Sequence, residues 1–215
     1  MIVIPTINCK DFKCVRAKLK KAVKFLSKGS WIQIDISDGK FTRAKTWNNP
    51  RELSKLQPTT DNLNIEIHLM TENPEMVVSE WLKAGAKRVI VHVEAIDGLK
   101  LKNLKTEILK NKIGIAINPN TPVKKLFPYL KEIKFVQLLA VNPGYSSQKF
   151  DKRILKKIKQ LKTKNPRIKI EIDGGINLET ARLAKKAGAD IIISGSYIWN
   201  GKNPGQIYRE LFVVR

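Results

Sequence analysis

Three short runs of the chain end on groups that can move a proton or hold a cation: Gln33-Ile34-Asp35, Glu66-Ile67-His68 and Glu171-Ile172-Asp173. In an extended chain alternate residues share a face, so Gln33 and Asp35 point one way while Ile34 and Ile36 point the other. One aspartate closing a strand is more often a cap for the next turn than a catalyst. Two carboxylates and an imidazole closing three strands are different. Brought to one mouth, they equip a site for acid–base or metal-assisted chemistry. Further along, Asn142-Pro143-Gly144-Tyr145-Ser146-Ser147, Gly174-Gly175 and Gly195-Ser196 suit an anion. Glycine lets backbone N–H groups come close to a phosphate, and three such segments after consecutive strands point to a phosphorylated ligand.

The elements that must position these groups alternate along the chain. Short Ile- and Val-rich runs at 2–4, 31–35, 63–68, 88–93, 112–117, 135–139, 168–172 and 190–193 read as strands covered on both faces. Helical patterns lie between them. Asp11 can cap a segment whose apolar positions are Phe12, Val15, Leu19, Ala22 and Leu26. Val77, Trp81 and Leu82 follow Pro74; Ile154, Ile158 and Leu161 follow Asp151; Leu183 and Ala187 follow Asn177. Gly29, Gly85 and Gly188 stand where helices should stop. Eight such units predict a single (β/α)8 barrel of the TIM type over residues 1–215. The rival open sheet would call for a G-x-G-x-x-G turn after a strand, and none is present. In a barrel, chemistry gathers at the C-terminal strand ends, where Asp35, His68 and Asp173 fall.

Composition narrows the class. The 215 residues are 42% hydrophobic and 28% charged, the balance of a globular chain. No run reaches the roughly 20 apolar residues of a membrane span. The opening Met1-Ile2-Val3-Ile4 has no basic leader before it, so no signal peptide is expected. Cys9 and Cys14 are too few and too close to suggest a disulfide framework, and a reducing, cytoplasmic setting is expected. Forty-one Lys and Arg against nineteen Asp and Glu give a net charge of +22, which suggests anionic partners. The 32 lysines outnumber nine arginines and are spread along the chain, many on what read as outer helix faces: Lys18, Lys20, Lys21, Lys24, Lys156, Lys157 and Lys159. That dispersal argues against specific nucleic-acid binding, while the positive field would still draw in a phosphorylated substrate.

Several runs together resemble the ribulose-phosphate 3-epimerase family: His68-Leu69-Met70-Thr71-Glu72-Asn73-Pro74-Glu75, Val141-Asn142-Pro143-Gly144 leading to Gln148-Lys149-Phe150, and Glu171-Ile172-Asp173-Gly174-Gly175-Ile176-Asn177. Asp35-x-x-Asp38-Gly39, Ala84-Gly85-Ala86 and Ala187-Gly188-Ala189-Asp190 fit the same order of elements. The resemblance implies an isomerase that interconverts D-ribulose 5-phosphate and D-xylulose 5-phosphate by proton transfer at carbon 3. The acid/base aspartates then fall on Asp35 and Asp173. The phosphosugar falls to Thr6, His68, Gly144, Tyr145, Ser146, Ser147, Gly174, Gly175, Gly195 and Ser196. It also implies a divalent metal on two histidines and the two aspartates, and a homo-oligomer.

The chain departs from that pattern at the metal. Gln33 stands where the family has histidine, so the candidate ligands are Gln33, Asp35, His68 and Asp173. An amide oxygen is neutral and harder than imidazole, and suits zinc less well. The expectation is a divalent ion (Zn, Fe, Mn or Mg) held more weakly, a shift toward Mg²⁺ or Mn²⁺, or no metal. Thr6 replaces a serine, Ser37 a methionine of the substrate wall, and Ser146-Ser147 a glycine pair; the loop 40–47 differs at most positions. Both aspartates and His68 are kept, which favours pentose-phosphate epimerisation. The alternatives are epimerisation of another phosphorylated ketose, or a retired barrel that binds phosphosugar or RNA. The segment Asp35-Ile36-Ser37-Asp38 has no lysine of a decarboxylase-type Asp-x-Lys arrangement. His92 closes a strand at the same mouth, Trp47 is a candidate lid or interface residue, Asp38 a turn residue, and Met70, Met76, Trp31, Trp81 and Trp199 read as packing. Cys9 is given no nucleophilic role.

Overall fold

Ile and Val stiffen each short run into a strand, and burial on both faces lets the runs pair in parallel. The computed structural model describes residues 1–56, 62–96, 111–145 and 147–214. It has β1 (Ile2–Ile7), β2 (Trp31–Ser37), β3 (Asn64–Met70), β4 (Arg88–His92), β5 (Ile113–Ile117), β6 (Phe135–Leu139), β7 (Lys169–Asp173) and β8 (Ile191–Ser194). The strands close in chain order, with β8 parallel to β1. β1 runs past Pro5, which lies opposite Ser194, and so is longer than its sequence pattern predicts.

Among the described residues the helices are α1 (Phe12–Ala22), α2 (Pro50–Ser54), α3 (Val78–Lys83), α4 (Ile154–Lys164), α5 (Leu178–Ala187), α6 (Ser196–Trp199) and α7 (Pro204–Phe212). Asp11 caps α1 by accepting from the Cys14 amide at 2.8 Å. Asn177 and Thr180 form a reciprocal capping box on α5, and left-handed Gly188 ends that helix. α1 stops at Ala22, earlier than Gly29 suggested, and Leu26 is buried beyond its end. The β5–β6 connection is a 3₁₀ helix, Val123–Tyr129, which Pro128 keeps from becoming α-helical. No helix among the described residues is long and apolar enough to cross a membrane.

Outward strand residues such as Ile34, Ile67, Val91 and Ile172 pack with Val15, Leu19, Trp81, Ile158 and Ala184 of the helices in one continuous core. The barrel interior has two small apolar clusters: Ile4, Ile191 and Ile193 against Trp31, and Ile90, Ala116, Phe135 and Leu139. Three expectations need correction. Cys9 and Cys14 are joined in a disulfide, because the turn into α1 brings their Cα atoms to 5.8 Å. Trp47 is neither lid nor interface: it is buried, stacks on Phe12 at 5.9 Å, meets Trp81 edge-on at 5.6 Å and donates to Glu52. Met76 is exposed, on the outer side of a 3₁₀ turn whose Pro74 and Glu75 are buried.

The remaining interior is polar. Glu66 and Glu171 are fully buried, and the Arg88 guanidinium bonds to both while lying 4.1 Å from the Trp31 ring centre and 4.6 Å from that of Phe135. Burial pushes the Glu66 carboxyl up against the pull of Arg88; burial and the Glu66 charge push Glu171 up further. Replacing Arg88 with methionine strands two carboxylates and is expected to remove about 3–5 kcal/mol of stability at neutral pH. The folded variant would then bind more protons than its unfolded chain, so its stability must fall as pH rises. Urea melts of Arg88→Met between acid and neutral pH check this; a deficit that does not shrink in acid counts against it.

Candidate active site

Strand register brings the reactive side chains together. Asp35 lies opposite His68 and Gln33 opposite Glu66 across β2 and β3; Thr6 of β1 lies opposite Gln33. Alternation turns Asp35, His68 and Asp173 inward, one layer above Glu66 and Glu171. Closure of the barrel then sets β7 across the interior from β2 and β3. One ligand-capable atom from each of Asp35, His68 and Asp173 lies within 4.8 Å of the others.

The carboxylates accept from two buried carboxamides. Gln33 Nε2 donates to Asp35 at 2.9 Å, to Thr6 Oγ1 at 3.2 Å and to Asp173 at 3.3 Å. Gln137 of β6 donates to the same Asp173 oxygen at 3.1 Å and lies 3.2 Å from His68 Nδ1. Sequence reasoning missed Gln137; its signal is a lone amide among the apolar residues of β6, on the inward face with Leu139. The Oε1 atoms of both glutamines are buried without a hydrogen-bond partner. Gln33 therefore presents its nitrogen to the carboxylates, and exchange of its two amide ends would bring its oxygen to the cluster.

A chain of hydrogen bonds fixes the imidazoles. Glu94 accepts from the Asn118 amide and the Thr121 hydroxyl, and lies 3.2 Å from His92 Nδ1. Burial opposes its charge, but His92, Thr121 and Asn118 together hold its carboxyl below the usual range. Burial pushes His92 down to about 4, so its ring is neutral and its proton sits on Nδ1 toward Glu94. His92 Nε2 must then accept, and it lies 2.9 Å from His68 Nε2, which donates. His68 Nδ1 is left facing Asp35 at 3.2 Å and Asp173 at 3.6 Å. Burial acts against an imidazolium there, yet the Asp35 hydrogen bond and the charges of Asp35, Asp173 and Glu66 raise the His68 pKa. Burial and the Asp35 charge push Asp173 up to about 7, with His68 and Gln33 opposing.

A cavity of about 660 Å³ opens above this cluster. Asp35, His68 and Asp173 form its floor, and Thr6, Gly144, Tyr145, Ser147, Gly174, Gly175, Gly195 and Ser196 line it; Gln33 is buried beneath and Ser146 lies outside the described residues. Gly175 has a φ of +65°, and a Cβ there would sit 2.6 Å from the Phe150 amide nitrogen, so no other residue fits this turn. Ser147 takes a left-handed φ of +64° in the loop after β6. Trp199 is more than packing: it lines the cavity and donates to the Thr6 carbonyl at 2.6 Å. Lys18 lines it too, and so is not on the outer helix face its sequence suggested. Asp38 accepts from the amides of Lys40, Phe41 and Glu72 and holds the turn after β2, as expected.

The model of the ribulose-phosphate 3 epimerase family matches residues 2–199. The chain belongs to that family. It is 35% identical to ribulose-phosphate 3-epimerase of Bacillus subtilis over 97% of each chain. It is 30% identical to the cytoplasmic isoform of Oryza sativa, over 97% of this chain and 92% of that one. Among solved structures, 3-hexulose-6-phosphate synthase from Salmonella typhimurium superposes with a TM-score of 0.74 at 14% identity, covering 100% of this chain and 98% of that one; this likeness concerns the fold.

The cluster fits a divalent cation. Asp35, His68 and Asp173 offer two carboxylate oxygens and an imidazole nitrogen within 4.8 Å of one another, and the charges of Asp35, Asp173 and Glu66 already favour a positive charge at His68, so a cation could take the place of that proton. With a cation there, the chain from Glu94 through His92 would hold His68 in place. Glutamine at 94 must still accept from the Asn118 amide, so its NH₂ would face His92 and reverse both imidazole tautomers. Glu94→Gln is therefore expected to weaken Mn²⁺ binding about 10–100-fold with the fold intact. Electron paramagnetic resonance of free Mn²⁺ reads this directly, and unchanged affinity would refute the assignment.

Proposed function

We propose that the chain interconverts D-ribulose 5-phosphate and D-xylulose 5-phosphate, moving a proton at carbon 3. The observation that carries this reading is the pair Asp35 and Asp173, set on β2 and β7 at one mouth with His68 between them, beneath a glycine-lined cavity. Inversion requires one group to remove the proton from one face of the carbon and another to deliver a proton to the opposite face. The adjacent carbonyl acidifies that hydrogen and takes up the charge as an enediolate. Asp173, pushed up to about 7, holds a proton near neutrality and is the donor when Asp35 is the base; the roles exchange in the reverse direction. Gln33 and Gln137 hold the Asp173 oxygen by hydrogen bonds from two sides, and Gln33 also holds Asp35.

Asp35, His68 and Asp173 would hold a divalent metal, with Gln33 beside them; when bound, it supplies Lewis-acid stabilisation of the substrate oxygens. One nitrogen and two carboxylates favour Mg²⁺ or Mn²⁺ over zinc. Leu139, Val141 and Met70 supply apolar wall. Ser37 is fully buried with its hydroxyl 3.9 Å from the Met70 sulfur, and Met70 rather than Ser37 lines the cavity. The glycine turns after β6, β7 and β8 offer backbone N–H groups to the phosphate.

Proton NMR of D-ribulose 5-phosphate in heavy water should show loss of the carbon-3 proton signal and growth of xylulose 5-phosphate, faster with Mn²⁺ than after chelation. No exchange with any divalent ion and a folded protein would sink the reading. Asp35→Asn and Asp173→Asn should each lower turnover about 10²–10⁴-fold while melting like the parent. A near-normal rate in either variant would remove that residue from the proton path.

A further inference from the structure

We propose that Lys18 is a substrate-binding residue, its ammonium the counter-ion of the substrate's phosphate; this rests on the epimerase reading above. The chain carries 41 lysines and arginines, yet among the described residues Lys18 is the one lysine or arginine lining the cavity. It stands on the inner stripe of α1, between Val15, Leu19 and Ala22, all fully buried. Helical spacing reserves that stripe for apolar side chains, so a lysine there calls for a reason. Its Nζ lies 5.7 Å from the centre of the Trp199 ring, which in turn closes α6 just beyond Gly195-Ser196. The lysine thus reaches over the edge of the barrel to the side where the glycine turns after β7 and β8 gather.

What surrounds the ammonium does not neutralise it. Among the described residues no carboxylate lies within ion-pair distance of Lys18, and the contact found for its ammonium is the Trp199 ring. Burial holds the ammonium below the usual lysine range, with the distant charge of Asp35 opposing and that of Lys21 adding. A half-buried cation resting on an aromatic face is short of both water and a partner. A phosphate seated on neutral backbone amides is short of positive charge. Each supplies what the other lacks.

The experiment compares the full-length parent protein with Lys18→Met, which keeps most of the stem, and Lys18→Arg, which keeps the charge. Inorganic phosphate is the probe, by calorimetry, alongside steady-state epimerisation. Lys18→Met is expected to weaken phosphate binding and raise KM for D-ribulose 5-phosphate about tenfold or more, with kcat within about twofold. Lys18→Arg should restore most of both. For unphosphorylated D-ribulose the parent and Lys18→Met should not differ. Phosphate affinity and KM both within about twofold of the parent in Lys18→Met would overturn the proposal. So would a fall in kcat at constant KM, which would place Lys18 in the chemistry. If the parent turns over no ketose, the calorimetric arm still decides for or against Lys18, so the two failures are distinguishable.

Discussion

Two carboxylates and an imidazole share the mouth of a closed barrel with little water to separate them, and that crowding governs the rest of the structure. Asp35 is 7% exposed and His68 1%, with Asp173 across from them, so their charges act on one another at short range. Like charges this close cannot both be carried without compensation, and burial of either ion is already unfavourable. The protein answers in three ways at once. Gln33 and Gln137 turn N–H bonds onto the carboxylates, His68 turns Nδ1 toward both, and Asp173 is pushed into a range where it holds a proton near neutrality. The same three devices are what a two-base epimerisation needs: a shared proton, a place for positive charge, and fixed geometry.

The barrel repeats this problem one layer down and solves it differently. Glu66 and Glu171 lie two residues before His68 and Asp173 on the same strands, and so on the same inward face. There a permanent cation, Arg88, bonds to both and fills the space between Trp31 and Phe135. A guanidinium cannot release its proton, so the lower layer is electrostatically fixed. In the upper layer His68 and the carboxamides leave the proton count free to change. The closed lower layer confines that freedom to the end of the barrel that opens to the cavity.

Much of this was legible in the sequence because the barrel has a simple grammar. Ile- and Val-rich runs marked all eight strands, and Gln33-Ile34-Asp35 revealed its inward pair through alternation. Asn177 and Gly188 marked both ends of α5. What was missed depends on distance in space. Gln137 carries no motif, and its partners Asp173 and His68 are brought to it only by closure of the sheet. Lys18 looked like one more lysine of a basic helix, because nothing local says that its side chain reaches the cavity lining. The Cys9–Cys14 bridge was hidden for the opposite reason: it is a local contact made possible by the turn into α1. Trp47 sits in a segment whose sequence reads as a loop, yet Phe12 and Trp81 draw it into the core.

The charge of the whole molecule takes its meaning from that of the cavity. A net charge of +22 distributed over many surface lysines raises the local concentration of any sugar phosphate, but screening limits this field to about a Debye length, near 8 Å at physiological salt. Inside the cavity the balance reverses. Among the described residues its ionisable floor is Asp35, His68 and Asp173, and Lys18 is its one lysine or arginine. A phosphate dianion entering such a space adds to a negative inventory. Lys18 sets one positive charge against it, and a proton kept on Asp173 or a cation beside His68 would lower the negative charge of the floor. On the proposed reading, substrate binding and the proton on Asp173 are coupled through charge. The surface field brings the substrate to the mouth, and the floor is ready for it once its own charge is neutralised.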